Sequence, residues 1–208
     1  MFHSLRSGGG APRTGSGLRG GRMSATKLLV LGVLRMHGRA HGYQVRRELL
    51  SWSADRWANV RQGSIYNALR RLAKDGLLAQ EEAEPGEAGP ERTAYRLTED
   101  GEAEFDLLLR RTLVDPDSGI AISAAIPFLP FVGRKELIDL LSHRRVKTES
   151  ALATTRHLLE GNDEMGKPAH VRELFRLWAI GVEGDLRWID ELVGRLEAGE
   201  YRLAGEAD

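Results

Sequence analysis

The chain has 208 residues, 30 basic and 30 acidic, a formal net charge of zero and no cysteine. Disulfide frameworks, thiolate metal sites and cysteine nucleophiles are therefore excluded, and a reducing compartment is permitted, though not required, by the composition; the cytoplasm is the expected location. With 41% hydrophobic residues the chain can bury a core. Its longest clean apolar run, Leu28–Leu34 with Gly32 inside it, is far short of the ~20 residues of a membrane-spanning helix.

Residues 1–22 hold seven glycines and four arginines and no acidic residue. They contain no apolar signal core and cannot bury enough surface to offset their ordering entropy, so a flexible basic tail is expected. Either Met1 or Met23 fits as the start of the chain. Residues 24–37 then predict a buried helix, with Leu28, Leu29, Leu31, Val33, Leu34 and Met36 forming nearly a whole apolar cylinder and Ser24 as N-cap. A second helix fits residues 42–51, and an irregular connection fits residues 52–62. A third helix over Gly63–Asp75 is stopped by Gly76. Leu77–Glu84 turns toward a strand, Pro85, Gly86, Gly89 and Pro90 mark a loop, and Thr93–Leu97 is the return strand of a hairpin. Thr98 is placed to cap a helix from Glu99 to about Val114. The rest reads as helical: a short apolar segment at Ile120–Ile126 ended by prolines, a long helix at Lys135–Glu160, and another at Ala169–Leu196 with apolar residues spaced by three and four.

The third helix carries the functional signal. At about 100° per residue, Ile65, Ala68, Leu69 and Leu72 share one face. Ser64, Tyr66, Asn67, Arg70, Arg71 and Lys74 share the other, with no carboxylate before Asp75. Such a set suits a DNA major groove. An arginine fork matches guanine O6 and N7, an asparagine amide matches adenine N6 and N7, and Ser or Lys holds phosphates. A basic helix face is more often simply solvated, but the element order argues otherwise. Three helices followed by a strand, a Pro/Gly loop and a second strand make a winged helix-turn-helix.

The segments His41-Gly42-Tyr43, Gly63–Leu72 (GSIYNALRRL), Asp75-Gly76-Leu77 and Tyr95–Gly101 (YRLTEDG) stand in order. Together they resemble the N-terminal domain of PadR-type transcriptional regulators over roughly residues 24–112. The resemblance implies a homodimeric winged-helix transcription factor, often a repressor released by a small molecule. It also implies that Tyr43, Ser64, Tyr66 and the following basic residues lie near DNA. Two positions depart from the family pattern. Asn67 stands where the family often has proline, and the usual basic wing is replaced by Gly89-Pro90-Glu91-Arg92 among Glu84 and Glu87. Arg92 is the one wing candidate.

Other patterns have plainer explanations. His37 and His41 are four apart, but Gly38 and Gly42 interrupt any shared helix, so His41 is expected to cap or hydrogen-bond in a turn and no metal is expected. Ser24–Lys27 matches S-x-x-K without its companion motifs. No phosphate loop, dinucleotide fingerprint or nucleophile–base set is present, so neither an enzyme nor a cofactor is expected. Phe128, Phe131 and Trp178 are candidate walls for a small aromatic or drug-like effector, against the plainer alternative of core or dimer packing, which also covers Trp188. Gly181 and Gly184 suggest close helix approach.

The expected fold is mainly α with a β wing. A tail at 1–22 precedes a winged helix-turn-helix domain at 23–114 and a helical dimerisation domain at 115–208. The expected function is a DNA-binding regulator, probed against the alternative of a winged-helix protein–protein module. DNA contacts are assigned to Tyr43, Ser64, Tyr66, Asn67, Arg70, Arg71, Lys74 and Arg92. The zero net charge conceals strong segregation. Residues 1–22 carry +4, residues 23–80 carry +7, residues 81–106 carry −8 and residues 107–208 carry −3.

Overall fold

The computed structural model describes residues 17–58, 60–81, 93–116, 119–161, 166 and 168–206. Helix α1 (Gly17–His37) leads into a two-residue strand β1 (Ala40–His41) and helix α2 (Gly42–Ser51). A single turn, α3 (Ala54–Trp57), connects to α4 (Gln62–Lys74). Strands β2 (Leu78–Glu81) and β3 (Ala94–Leu97) precede α5 (Glu99–Val114). The second half holds α6 (Gly119–Ala125), a 3-10 segment (Ile126–Phe131), α7 (Arg134–Glu160), a 3-10 turn (Ala169–Val171) and α8 (Arg172–Glu197).

The fold is mainly helical with a small antiparallel sheet in the order β1-β3-β2. Leu78 pairs with Leu97 and Glu81 with Ala94, while Ala40 and His41 add a short edge opposite Tyr95 and Ala94. This is the winged-helix arrangement expected from the element order, joined to a second half built on two long helices. Among the described residues, no helix is long and apolar enough to cross a membrane.

Four local readings change. Helix α1 starts at Gly17, so residues 17–22 are helical and Ser24 lies inside the helix, not at its N-cap. The connection over 52–62 contains the α3 turn, and α4 begins one residue early, at Gln62. β1 had no propensity signal, because two residues after a glycine carry no alternation to read. The hairpin loop with Glu84, Glu87, Glu91 and Arg92 lies outside the described residues, as do residues 1–16.

Capping chemistry sets the other boundaries. His41 is the N-cap of α2, and its backbone N–H donates to Gln44 Oε1 at 2.7 Å. His37, four residues before it, stands 3.5 Å from Glu48. At the end of α4, Gly76 takes a left-handed φ of 77°. Leu77 N–H then reaches Leu72 O at 2.9 Å and Gly76 N–H reaches Ala73 O at 3.1 Å, which satisfies the last helical carbonyls. Thr98 Oγ1 accepts from Gly101 N–H at 3.1 Å and donates to Gly76 O at 2.7 Å. One side chain thus caps α5 and fixes it to the turn after α4.

The core runs through both halves. Leu28, Leu29, Leu31 and Leu34 of α1 are enclosed, with Ile65 and Leu69 of α4 and Phe105 and Leu109 of α5. Phe128, from the 3-10 segment, is fully buried in the same cluster. Its ring meets Trp52 and Phe105 edge-on at 5.8 and 5.6 Å. Helices α7 and α8 pack antiparallel, tied by Arg145–Asp190 and Arg156–Glu183 ion pairs at 2.7 and 2.8 Å. Arg110 of α5 forks onto Glu136 of α7. Arg144 of α7, fully buried, donates to the carbonyls of Thr112 and Asp115 at the C-terminus of α5. That end of the helix carries partial negative charge, which suits a guanidinium.

Candidate nucleic-acid interface

Helix α4 sorts its residues as its periodicity demands. Ile65, Leu69 and Leu72 are buried, and Asn67, Arg70, Arg71 and Lys74 are exposed. Ser64 and Tyr66 are half-buried at the edges of the exposed strip. The packing that holds α4 against α2 leaves no room for a side chain at Gly42. A Cβ there would stand 2.5 Å from Tyr66 Cε1. Tyr66 therefore locks the two helices together, and its ring edge borders the exposed strip.

A groove runs on each flank of α4. One is lined by Gly42, Gln62, Gly63, Tyr66, Asn67, Arg70, Thr93 and Tyr95. The other lies between α1 and α4 and is lined by Thr26, Lys27, Ser64, Asn67, Ala68, Arg71, Leu72 and Asp75. Asn67 borders both, so it stands on the crest of a ridge. A major groove about 12 Å wide admits one helix.

The exposed side chains are partly pre-arranged. Arg70 Nη2 donates to Asn67 Oδ1 at 2.7 Å. Ser64 Oγ donates to Arg61 O at 2.6 Å. Arg71 stands 3.7 Å from Asp75, a distance that solvent screens heavily at this exposure. Lys74 is exposed in the last turn. Tyr43, in the first turn of α2, is 45% exposed and stacks on His41 with ring centroids 5.7 Å apart.

At the base of the hairpin, Glu81 accepts from Arg39 Nε and Arg96 Nε, each at 2.8 Å. These two guanidinium bonds hold its carboxyl below the usual carboxylate range. The hairpin is thereby anchored to the residue that precedes β1.

The structure brings Tyr66, Asn67 and Arg70 to one groove, and Ser64, Asn67 and Arg71 to the other. Lys74 and Tyr43 border neither, and Arg92 lies outside the described residues. Gln62, Thr93 and Tyr95 were missed. Gln62 was assigned to the preceding connection, and β3 residues gave no hint from sequence that they face the first turn of α4. Among the described residues, no cluster of three His, Asp or Glu side chains could hold a metal.

The three effector candidates are not brought together. Phe128 is a core residue, and Phe131 meets Phe105 edge-on at 5.6 Å with the Arg35 guanidinium 5.7 Å from its ring centre. Trp178 stands on α8 against Phe175 and is 47% exposed.

The stretch that builds this ridge and its hairpin, residues 30–107, matches the family model described as the Transcriptional regulator PadR-like family. These residues are similar to the PadR-like regulators over that stretch. Solved structures similar to the chain include Bacillus subtilis PadR in complex with operator DNA, at 20% identity and TM-score 0.38, covering 82% of this chain and 98% of that one. Another is smu.1604c from Streptococcus mutans UA159, at 21% identity and TM-score 0.36, covering 83% and 96%. A third is the PadR-like regulator BC1756 from Bacillus cereus, at 18% identity and TM-score 0.33, covering 84% and 99%. No curated protein matches the chain. The PadR-like match includes all of α2, α4 and the sheet, so the ridge lies within it, while the groove against α1 also draws on Thr26 and Lys27 before it.

Proposed function

We propose that this chain is a sequence-specific, double-stranded DNA-binding transcriptional regulator that works as a homodimer. The observation that carries the reading is the exposed strip of α4, where three cations and an amide stand on a ridge between two grooves. Arg70 and Asn67 read base edges, Ser64, Arg71 and Lys74 hold phosphates, and Tyr66 and Tyr43 contact the sugar-phosphate backbone. Arg92 of the wing adds a backbone contact. The regulator is a repressor on a pseudo-palindrome with half-sites about one helical turn apart, and a small aromatic molecule releases it.

The chain divides by role into a reader at 23–114 and a helical dimerisation part at 115–208. Helix α8 supports the second role. In its first half Phe175 and Ala179 are buried on one side. The other leaves Leu174, Leu177 and Trp178 exposed. Gly181 and Gly184 continue that second face, with open space where a side chain would project. A second copy of the chain covers this face.

Selection of duplexes from a randomised library with the purified chain tests the reading. It should return a two-fold symmetric consensus whose affinity falls steeply with salt, because phosphate binding releases counterions. A library that returns no consensus, or an affinity indifferent to salt, leaves the second reading, a protein–protein module. That reading draws on the acidic balance of residues 81–106.

A further inference from the structure

The groove between α1 and α4 has a volume of about 420 Å³ and two walls of different origin. One wall is a flank of α4, where Ser64, Asn67, Ala68, Arg71, Leu72 and Asp75 recur at helical spacing. The other is one turn of α1, Thr26 and Lys27. Ala68 and the buried Leu72 supply an apolar stretch. Thr26, Lys27, Ser64 and Arg71 supply two hydroxyls, an ammonium and a guanidinium. Lys27 Nζ binds Glu104 of α5 at 2.6 Å. An ammonium has three donors, so this pair leaves two of them for another acceptor. Asp75, the carboxylate in the lining, stands 3.7 Å from Arg71.

Helix α1 does not end at this groove. From Thr26 it runs nine residues back to Gly17, about 14 Å at 1.5 Å per residue. That stretch holds Arg19 and Arg22 and no acidic residue. Positions 19, 22 and 26 follow at spacings of three and four, so they fall on one stripe of α1. The stripe reaches the groove at Thr26. All of it precedes residue 30, where the PadR-like match begins. A helix lying in a major groove has a sugar-phosphate strand along each flank, and such strands are held by cations and hydroxyls of this kind.

We infer that the groove between α1 and α4 seats one sugar-phosphate strand of the duplex, held by Thr26 and Lys27 within it and by Arg19 and Arg22 beyond it. The inference rests on the DNA-binding reading above and extends it to a part of α1 outside the PadR-like match. These contacts carry no base information. They set the register of α4 on the duplex and lengthen the footprint of each half-site.

The test titrates the full chain, an Arg19→Gln/Arg22→Gln double variant and Lys27→Gln against selected and scrambled duplexes at several salt concentrations, with hydroxyl-radical footprinting at saturation. Each lost phosphate contact lowers the salt slope by about 0.9. The double variant should therefore lower it by about 2 per subunit and Lys27→Gln by about 1. Both should weaken selected and scrambled duplexes by the same factor, roughly tenfold or more for the double variant at low salt. Protection should shorten on one strand of each half-site, with base preference unchanged. Arg19→Lys/Arg22→Lys and Lys27→Arg keep the charge and should restore the slope, which recovery of folding alone would not explain if circular dichroism is the same throughout. An unchanged slope in both Gln variants, or a loss confined to the selected duplex, overturns the placement of the strand. Wild type without affinity for any duplex overturns instead the DNA-binding reading, and this site with it.

Discussion

Phe128 stands where a side chain on Gly32 would have to be. A Cβ at position 32 would lie 2.2 Å from Phe128 Cζ. The contact joins a residue of the second half of the chain to α1, and it leaves no room for a side chain at position 32. Gly32→Ala should destabilise the protein by roughly 1–3 kcal/mol, the usual range for overpacking a tight core. Phe128→Leu, which shortens the intruding ring, should recover part of that loss in the double variant. Urea unfolding of the four proteins measures the coupling. Additive effects would show that the two residues do not compete for the same space.

The same contact predicts how a truncated chain behaves. A fragment ending at Val114 keeps the ridge, the hairpin and all of the PadR-like match, but it loses Phe128. Trp52, Phe105 and Gly32 then face an unfilled pocket, and loss of a buried phenylalanine costs about 3–5 kcal/mol. The fragment should show a broadened, low thermal transition by calorimetry. A sharp transition near that of the full chain would show the winged-helix half to be self-sufficient.

Side chains on α4 should separate by role. Arg70→Ala should cost about 1–3 kcal/mol of operator affinity and relax base preference at one position in each half-site. Lys74→Ala should weaken all duplexes alike and lower the salt slope by about 1. Titrations on selected and scrambled duplexes at several salt concentrations distinguish the two patterns. A uniform loss for Arg70→Ala would move that residue to the phosphate class.

The winged-helix fold was legible in the sequence because each signal was local. The apolar period of α4 placed Ile65, Leu69 and Leu72 inward, Thr98 announced α5, and Gly76 announced the end of α4. The contacts that complete the core were not local. Nothing near Phe128 in sequence indicates that its ring meets α1 and α2, because that depends on how the 3-10 segment folds back. β1 was invisible because its two residues are a strand only through pairing with β3. Arg195 and Tyr201 gave no hint that they line one cavity, since Arg134 creates it by holding the C-terminal segment from the start of α7.

Helix α8 gives a test of assembly. Leu177 is 65% exposed on the face opposite α7, so Leu177→Asp leaves the α7–α8 packing intact. Sedimentation should show a dimer for wild type and a monomer for the variant, with unchanged helical content. A wild-type monomer, or a dimer indifferent to the change, would remove α8 as the interface.

The C-terminal segment should report its own electrostatics. Glu206 is held below the usual carboxylate range, first by its hydrogen bond from Arg134 and then by that from Leu203 N–H. Its folded pKa is depressed, so the contribution is present above the ordinary value of 4.5 and fades as pH falls through the lower folded value. The Leu203 amide resonance should therefore titrate with a midpoint below 4.5, and Glu206→Gln should leave it flat. A midpoint at or above the ordinary value would mean that the Arg134 bond does not persist in solution.

The bond between Arg70 and Asn67 bears on how an operator would be described statistically. Arg70 Nη2 occupies one side of the Asn67 carbonyl, so whichever base the amide meets constrains where the guanidinium fork can point. Two neighbouring columns of the binding motif would then covary. A score that sums independent contributions from each base would fit the selected sequences less well than one containing a dinucleotide term at that step.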